Sequence, residues 1–229
     1  PMRKWHGEPG FSLIEVSLAL IIVGILLTFT FKTSSIIESV RLRSVAKAVE
    51  TYRIATDLFV DKYGDLPGDY ASAQVTINPS SRNGNGNGRV EGEGMDPRSE
   101  AFWFWQHLGD AGCIPHPGRL REGEAVTFGH GLPKSKMGGG FTVVQDPRGR
   151  TAMRGLWVLL GNAHGMRGSG AILTPMQAQG ILDIFGERDV REGAVRVEEG
   201  TDVTPGSCMG DGRLMLQNSE PACIMYFKL

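Results

Sequence analysis

Charge of one sign is what this sequence most lacks. It has 24 Lys and Arg against 25 Asp and Glu in 229 residues, a net charge of −1. That balance argues against a strongly basic nucleic-acid binder, and against an acidic chain kept unfolded by self-repulsion. Cysteine is scarce, with three residues, too few for a disulfide-rich secreted scaffold. Cys113 and His116 have metal-like local spacing, but no second pair follows, so no zinc site is expected. Ser169 lies in Gly168-Ser169-Gly170, which is not a nucleophile elbow, and no phosphate loop ending in Gly-Lys-Ser/Thr occurs. Gly84, Gly86 and Gly88 follow no strand pattern, so a dinucleotide site is rejected. No pair of carboxylates stands out as an acid/base set, and there is no internal repeat. Glycine, by contrast, is in excess at 32 residues without a three-residue period, which excludes collagen and predicts a loop-rich body.

One segment departs from the average. Residues 11–31 read FSLIEVSLALIIVGILLTFTF and carry a single formal charge, Glu15. As a helix these residues would extend about 31 Å, close to the roughly 30 Å hydrocarbon core of a bilayer. Arg3 and Lys4 precede the run, which predicts a cytoplasmic N-terminus and a translocated body. Residues 21–31 contain no Ala-x-Ala site, so removal of the whole run as a secretory signal is not expected. Proline is absent from the run; Gly24 is its one helix-weakening residue. A carboxylate in such a segment is costly without a partner, so Glu15 needs an explanation.

Gly10, Phe11 and Glu15, behind a short basic leader and ahead of the apolar run, resemble the mark of the type IV pilin and pseudopilin family. The resemblance implies a structural filament subunit rather than an enzyme. It implies that a prepilin peptidase cuts between Gly10 and Phe11 and that Phe11 is N-methylated. Residues 1–10 would be the leader, 11–63 a stalk helix with 11–31 in membrane or filament core, and 64–229 a periplasmic or extracellular body. Glu15 would pair with the new ammonium group of Phe11 on a neighbouring subunit. Expected partners are further copies of the chain and other pilins, the peptidase, an assembly platform protein with a cytoplasmic ATPase, and the bacterial inner membrane before assembly. The alternatives are a pseudopilin of a type II secretion system, a tip adhesin or minor subunit, and a membrane-anchored periplasmic binding protein or enzyme.

The fold class expected is α+β, a long N-terminal helix laid on a small antiparallel sheet with short helices. Val45, Val49, Tyr52, Thr56, Phe59 and Tyr63 recur at alternating steps of four and three, one helical face for a core. Gly64 and Pro67 should stop that helix. Ser99 should cap a helix over 100–109, and Thr174-Pro175 should open another running to Phe185. Residues 141–145, 155–160, 194–199 and 222–229 read as strands.

In an oxidising compartment a Cys208–Cys223 disulfide is favoured, leaving Cys113 a buried free thiol; Cys113 with Cys208 or with Cys223 stays open. No cofactor is firmly implied. The spacing of Asn83, Asn85, Asn87 and Gly88 imitates the start of a calcium loop, and Asp65, Asp69, Glu91 and Glu93 could add charge; Asp96 is a further source. Position 12 of such a loop would be Gly94 rather than Glu, so the pattern also fits a polar turn. Arg148, Arg150 and Arg154, with Arg167 further on, read as a solvated basic loop more than a nucleic-acid contact.

Overall fold

The computed structural model describes residues 10–121, 123–147 and 153–229, the side chains of 28–35 excepted. Its elements are α1 (Leu13–Tyr63), α2 (Ala73–Thr76), α3 (Glu100–Asp110), β1 (Thr127–Phe128), β2 (Gly131–Leu132), β3 (Gly140–Gln145), β4 (Leu156–Gly161), α4 (Pro175–Phe185), β5 (Val195–Glu199), β6 (Met209–Gly210), β7 (Arg213–Leu214) and β8 (Cys223–Lys228). The chain falls into two units, one ending at Val40 and one running from Arg41 to Leu229. The C-terminal part of α1 thus belongs to the second unit.

Along residues 41–63 the expected stripe is the buried one. Val45, Val49, Tyr52, Thr56 and Phe59 are buried, Tyr63 is half-buried, and Ala55 joins them. Lys47, Glu50, Asp57 and Asp61 on other faces are exposed. Helix α1 stops at Tyr63 because Gly64 takes a left-handed φ of 85°, open to glycine without penalty.

The second unit is built on a mixed helix and antiparallel-sheet plan. Four strands lie in the order β3-β4-β8-β5, all antiparallel. Alternation along the strands divides their side chains between two faces. Phe141, Val143, Val158, Leu160, Met225, Phe227, Val195 and Val197 join the α1 stripe and α3 in one core, where Tyr52 meets Phe141 and Trp105 edge-on at 5.2 and 4.8 Å. Val144, Trp157, Leu159, Ile224 and Tyr226 point the other way and form a second buried cluster with Met153.

Local chemistry sets the helix starts. The Ser99 hydroxyl accepts from Phe102 N at 3.1 Å. Thr174 and Gln177 form a reciprocal capping box at 3.2 and 3.1 Å, with Pro175 in the first turn. Three elements escape the sequence pattern: α2, the two-residue β1–β2 ladder and the β6–β7 hairpin. Runs of two to four residues have no period to read.

Among the described residues no helix is long and apolar enough to cross a membrane. Within the expected 11–31 span, the described apolar side chains of α1 extend from Leu13 to Leu27, about 22 Å of helix. Side chains 28–31 of the expected 11–31 span lie outside the described residues, as does most of the 1–10 leader.

Candidate functional site

The first candidate is the N-terminal segment. The carbonyl of Ser12 accepts from Glu15 N at 3.0 Å and Val16 N at 3.1 Å, and this starts α1. Gly10 and Phe11 therefore precede the helix, both exposed. Glu15 sits in the first helical turn, where unpaired N–H groups and the helix dipole favour a carboxylate. The large apolar side chains from Leu13 to Leu27 are exposed on every side, Leu13 at 91% and Val16, the least, at 48%. A helix apolar all round requires apolar surroundings rather than one packed face. Among the described residues the segment thus offers an exposed Gly10–Phe11 junction, a carboxylate in the first helical turn and an uncovered apolar surface.

The second candidate, the Asn-Gly loop, is ordered by acids reaching it from elsewhere. Asp69 is fully buried and accepts from Asn87 N at 3.1 Å through Oδ1 and from Gly88 N at 2.7 Å through Oδ2. Glu100, buried at the start of α3, accepts from Asn85 N at 2.9 Å and Glu91 N at 3.0 Å. Burial pushes the Glu100 carboxyl above the usual range, against the pull of those two N–H groups. The side-chain oxygens of Asn83, Asn85 and Asn87 accept from Gln74 N, Asn87 N and Arg89 N at 2.9, 3.0 and 2.9 Å. Glu91 accepts from Asn85 Nδ2 at 3.2 Å, and Glu93 holds Arg167 through two bonds at 3.1 and 3.0 Å. The oxygens expected around calcium are thus met by N–H donors. Asp65 is exposed, and among the described residues no three His, Cys, Asp or Glu side chains converge on a possible metal position. Of the set Asp65, Asp69, Asn83, Asn85, Asn87, Glu91 and Glu93, all but Asp65 make the hydrogen bonds given above.

His107 completes the anchoring. It is fully buried; its Nδ1 accepts from Gly68 N at 2.9 Å, so Nε2 carries the hydrogen and donates to Arg82 O at 2.7 Å. It ties α3 to the turn that presents Asp69 and to the residue just before Asn83. Neither Glu100 nor His107 is marked by sequence as a loop anchor. The only available signal is the presence of a polar residue on an apolar helix.

Cys208 and Cys223 form a disulfide, with Cα atoms 5.1 Å apart. It ties the residue before β6 to the first residue of β8. Cys113 is free but half-buried, not buried as expected: it lies just past α3, with Lys62 near. Of the expected basic loop, Arg148 and Arg150 lie outside the described residues. Arg167 is neutralised by Glu93, so it adds no free charge to Arg154.

The chain carries the prokaryotic N-terminal methylation motif, whose family model matches residues 5–31. That stretch contains Gly10, Phe11, Glu15 and the apolar run. No curated protein matches the chain. A solved structure that aligns with it is the major type IV pilin PilA1 from Clostridium difficile, 15% identical over 84% of this chain and 96% of that one, with a TM-score of 0.39.

Proposed function

We propose that this chain is a structural subunit of a type IV pilus-like filament, cut between Gly10 and Phe11, methylated on Phe11 and polymerised from the bacterial inner membrane. The methylation motif over residues 5–31 carries the reading. The exposed Gly10–Phe11 junction and the apolar helix behind it support it. Before assembly, residues 11–31 sit in the bilayer; afterwards they line a filament core, and the body lies in the periplasm or outside the cell. Partners are other copies of the chain and other pilins, a prepilin peptidase and an assembly platform. Cleavage turns the Phe11 nitrogen into an ammonium group, and Glu15 of a neighbouring subunit pairs with it. In an apolar bundle either charge alone is heavily penalised, so the pair sets axial register.

A pseudopilin of a secretion system uses the same segment in the same way, and the motif is common to both readings. Mass spectrometry of the N-terminus tests both against an uncut membrane anchor carrying a binding or enzymatic body. The expected result is a chain beginning at N-methylated Phe11. A chain that keeps residues 1–10 in a host with an active prepilin peptidase overturns the proposal.

A further inference from the structure

The sequence repeats Asn-Gly three times, at 83–84, 85–86 and 87–88. Asn-Gly is the dipeptide most open to intramolecular imide formation, because glycine has no side chain to keep its nitrogen from the preceding carboxamide. We propose that residues 83–88 are a latent self-modification site held shut by the fold, with the Asp69 carboxylate as the latch on Asn87. The proposal is independent of the filament reading.

In the reaction, the glycine backbone nitrogen gives up its proton and bonds to Cγ of the preceding Asn. The Cγ–Nδ2 bond breaks, and Nδ2 leaves as ammonia with that proton. Water then opens the five-membered imide, at Cγ to give aspartate or at the backbone carbonyl to give isoaspartate. The sum is Asn plus water to Asp or isoAsp plus ammonia, with no oxidant or other reagent.

Two conditions must hold: the glycine N–H must be free, and the carboxamide must swing over it. Both are blocked at each site. Gly84 N donates to Tyr70 O at 3.0 Å and Gly86 N to Asp69 O at 2.9 Å, while Gly88 N donates to Asp69 Oδ2 at 2.7 Å. Each carboxamide is held by its own oxygen, as described above: Asn83 by Gln74 N, Asn85 by Asn87 N and Asn87 by Arg89 N.

The three sites are not equivalent. The first two glycines are held by backbone carbonyls, and Gly84 lies so close to the Asp69 backbone that a Cβ there would overlap it. Gly88 is held by one carboxylate oxygen, with open space where a Cβ would be, and all three Asn side chains are exposed. Gly88 is thus the one of the three that a side-chain substitution can release without altering a backbone carbonyl. Each event adds a negative charge beside Glu91 and Glu100, in a subunit close to neutral.

The test is site-resolved peptide mapping, with isoaspartate quantified, of the full chain in detergent held in mildly alkaline buffer. It is run folded, in guanidinium chloride, and as Asp69→Asn, which keeps the shape but replaces the Oδ2 acceptor. Folded wild type should react at Asn87 at least about tenfold more slowly than the denatured chain, the factor one hydrogen bond to a charged group can supply. All three sites should be slow in the folded chain and should react at similar rates when it is denatured. Asp69→Asn should accelerate Asn87 and leave Asn83 at the wild-type rate. Equal rates at Asn87 in folded and denatured wild type would overturn the proposal, as would a folded Asp69→Asn that accelerates Asn83 as much as Asn87. If Asp69→Asn does not fold, the wild-type comparison decides alone: Asn87 slower in the folded than in the denatured chain supports the proposal, and equal rates refute it.

Discussion

His107→Leu removes the ring that connects α3 to two loop segments. It leaves Gly68 N–H and Arg82 C=O, now 2.9 and 2.7 Å from the ring nitrogens, without their partner in a buried site. An orphaned buried polar group costs about 1–3 kcal/mol, so the two together cost about 2–6 kcal/mol. For a unit of this size that lowers Tm by roughly 4–24 °C. His107→Gln retains an N–H donor for Arg82 O and should lose about half as much. The pH dependence is the sharper test. Burial chiefly holds the imidazole below its ordinary value of 6.5, partly opposed by the bond to Arg82 O and the charge of Asp110. Below 6.5 and down to the folded-state value, the unfolded chain binds more protons, so stability rises with pH across that window. The contribution of His107 is complete above 6.5 and is lost as pH falls through the depressed value, when a proton on Nδ1 expels the Gly68 N–H. One such group changes stability by at most about 1.4 kcal/mol per pH unit. Thermal unfolding of wild type and His107→Leu should therefore converge as pH falls below neutrality. A constant gap between them over that range would refute the tautomer and the anchoring role together.

Replacing both Cys208 and Cys223 by Ala should cost about 3 kcal/mol on the chain-entropy account of a bridge of this span, read as a lower Tm of the oxidised full chain. Thiol titration of the native wild-type chain should find only Cys113; a blocked Cys113 would contradict the pairing. Glu15→Ala should still be cut after Gly10 but should enter filaments more slowly, as measured by the ratio of assembled to membrane-retained subunit. Assembly at the wild-type rate with unchanged stagger would remove the pairing role assigned to Glu15.

What could be read from the sequence was local. Ser99, Thr174 with Pro175, Gly64 and the stripe from Val45 to Tyr63 all act within one or two helical turns, and each fell where its chemistry put it. The four strands of the larger sheet, β3, β4, β5 and β8, were legible for the same reason, as apolar runs between turn residues. The loop around Asn85 was not, because its order comes from Asp69, Glu100 and His107, which reach it across 15 to 25 residues of chain. The calcium expectation concerns the same loop. Side-chain oxygens that could face a cation can equally accept backbone N–H groups, and spacing alone cannot distinguish the two. Burial can: a carboxylate such as Asp69, fully buried and aimed at two amide N–H groups, already has its counterparts.

In the N-terminal segment the sum of the apolar side chains and the position of one charge do different things. Each large apolar side chain there gains about 1.5–3 kcal/mol when it leaves water, and the side chains from Leu13 to Leu27 are exposed in the isolated chain. That drive is large but has no direction: sliding one helix along another by a turn buries nearly the same surface. A lone carboxylate behaves in the opposite way. Its penalty in an apolar surround is relieved at one register only, where a cation stands opposite. On the proposed reading the apolar residues supply the strength of assembly, while Glu15 and the ammonium group created at Phe11 supply its spacing. Cleavage is then more than removal of a leader, since before it the register-setting cation does not exist.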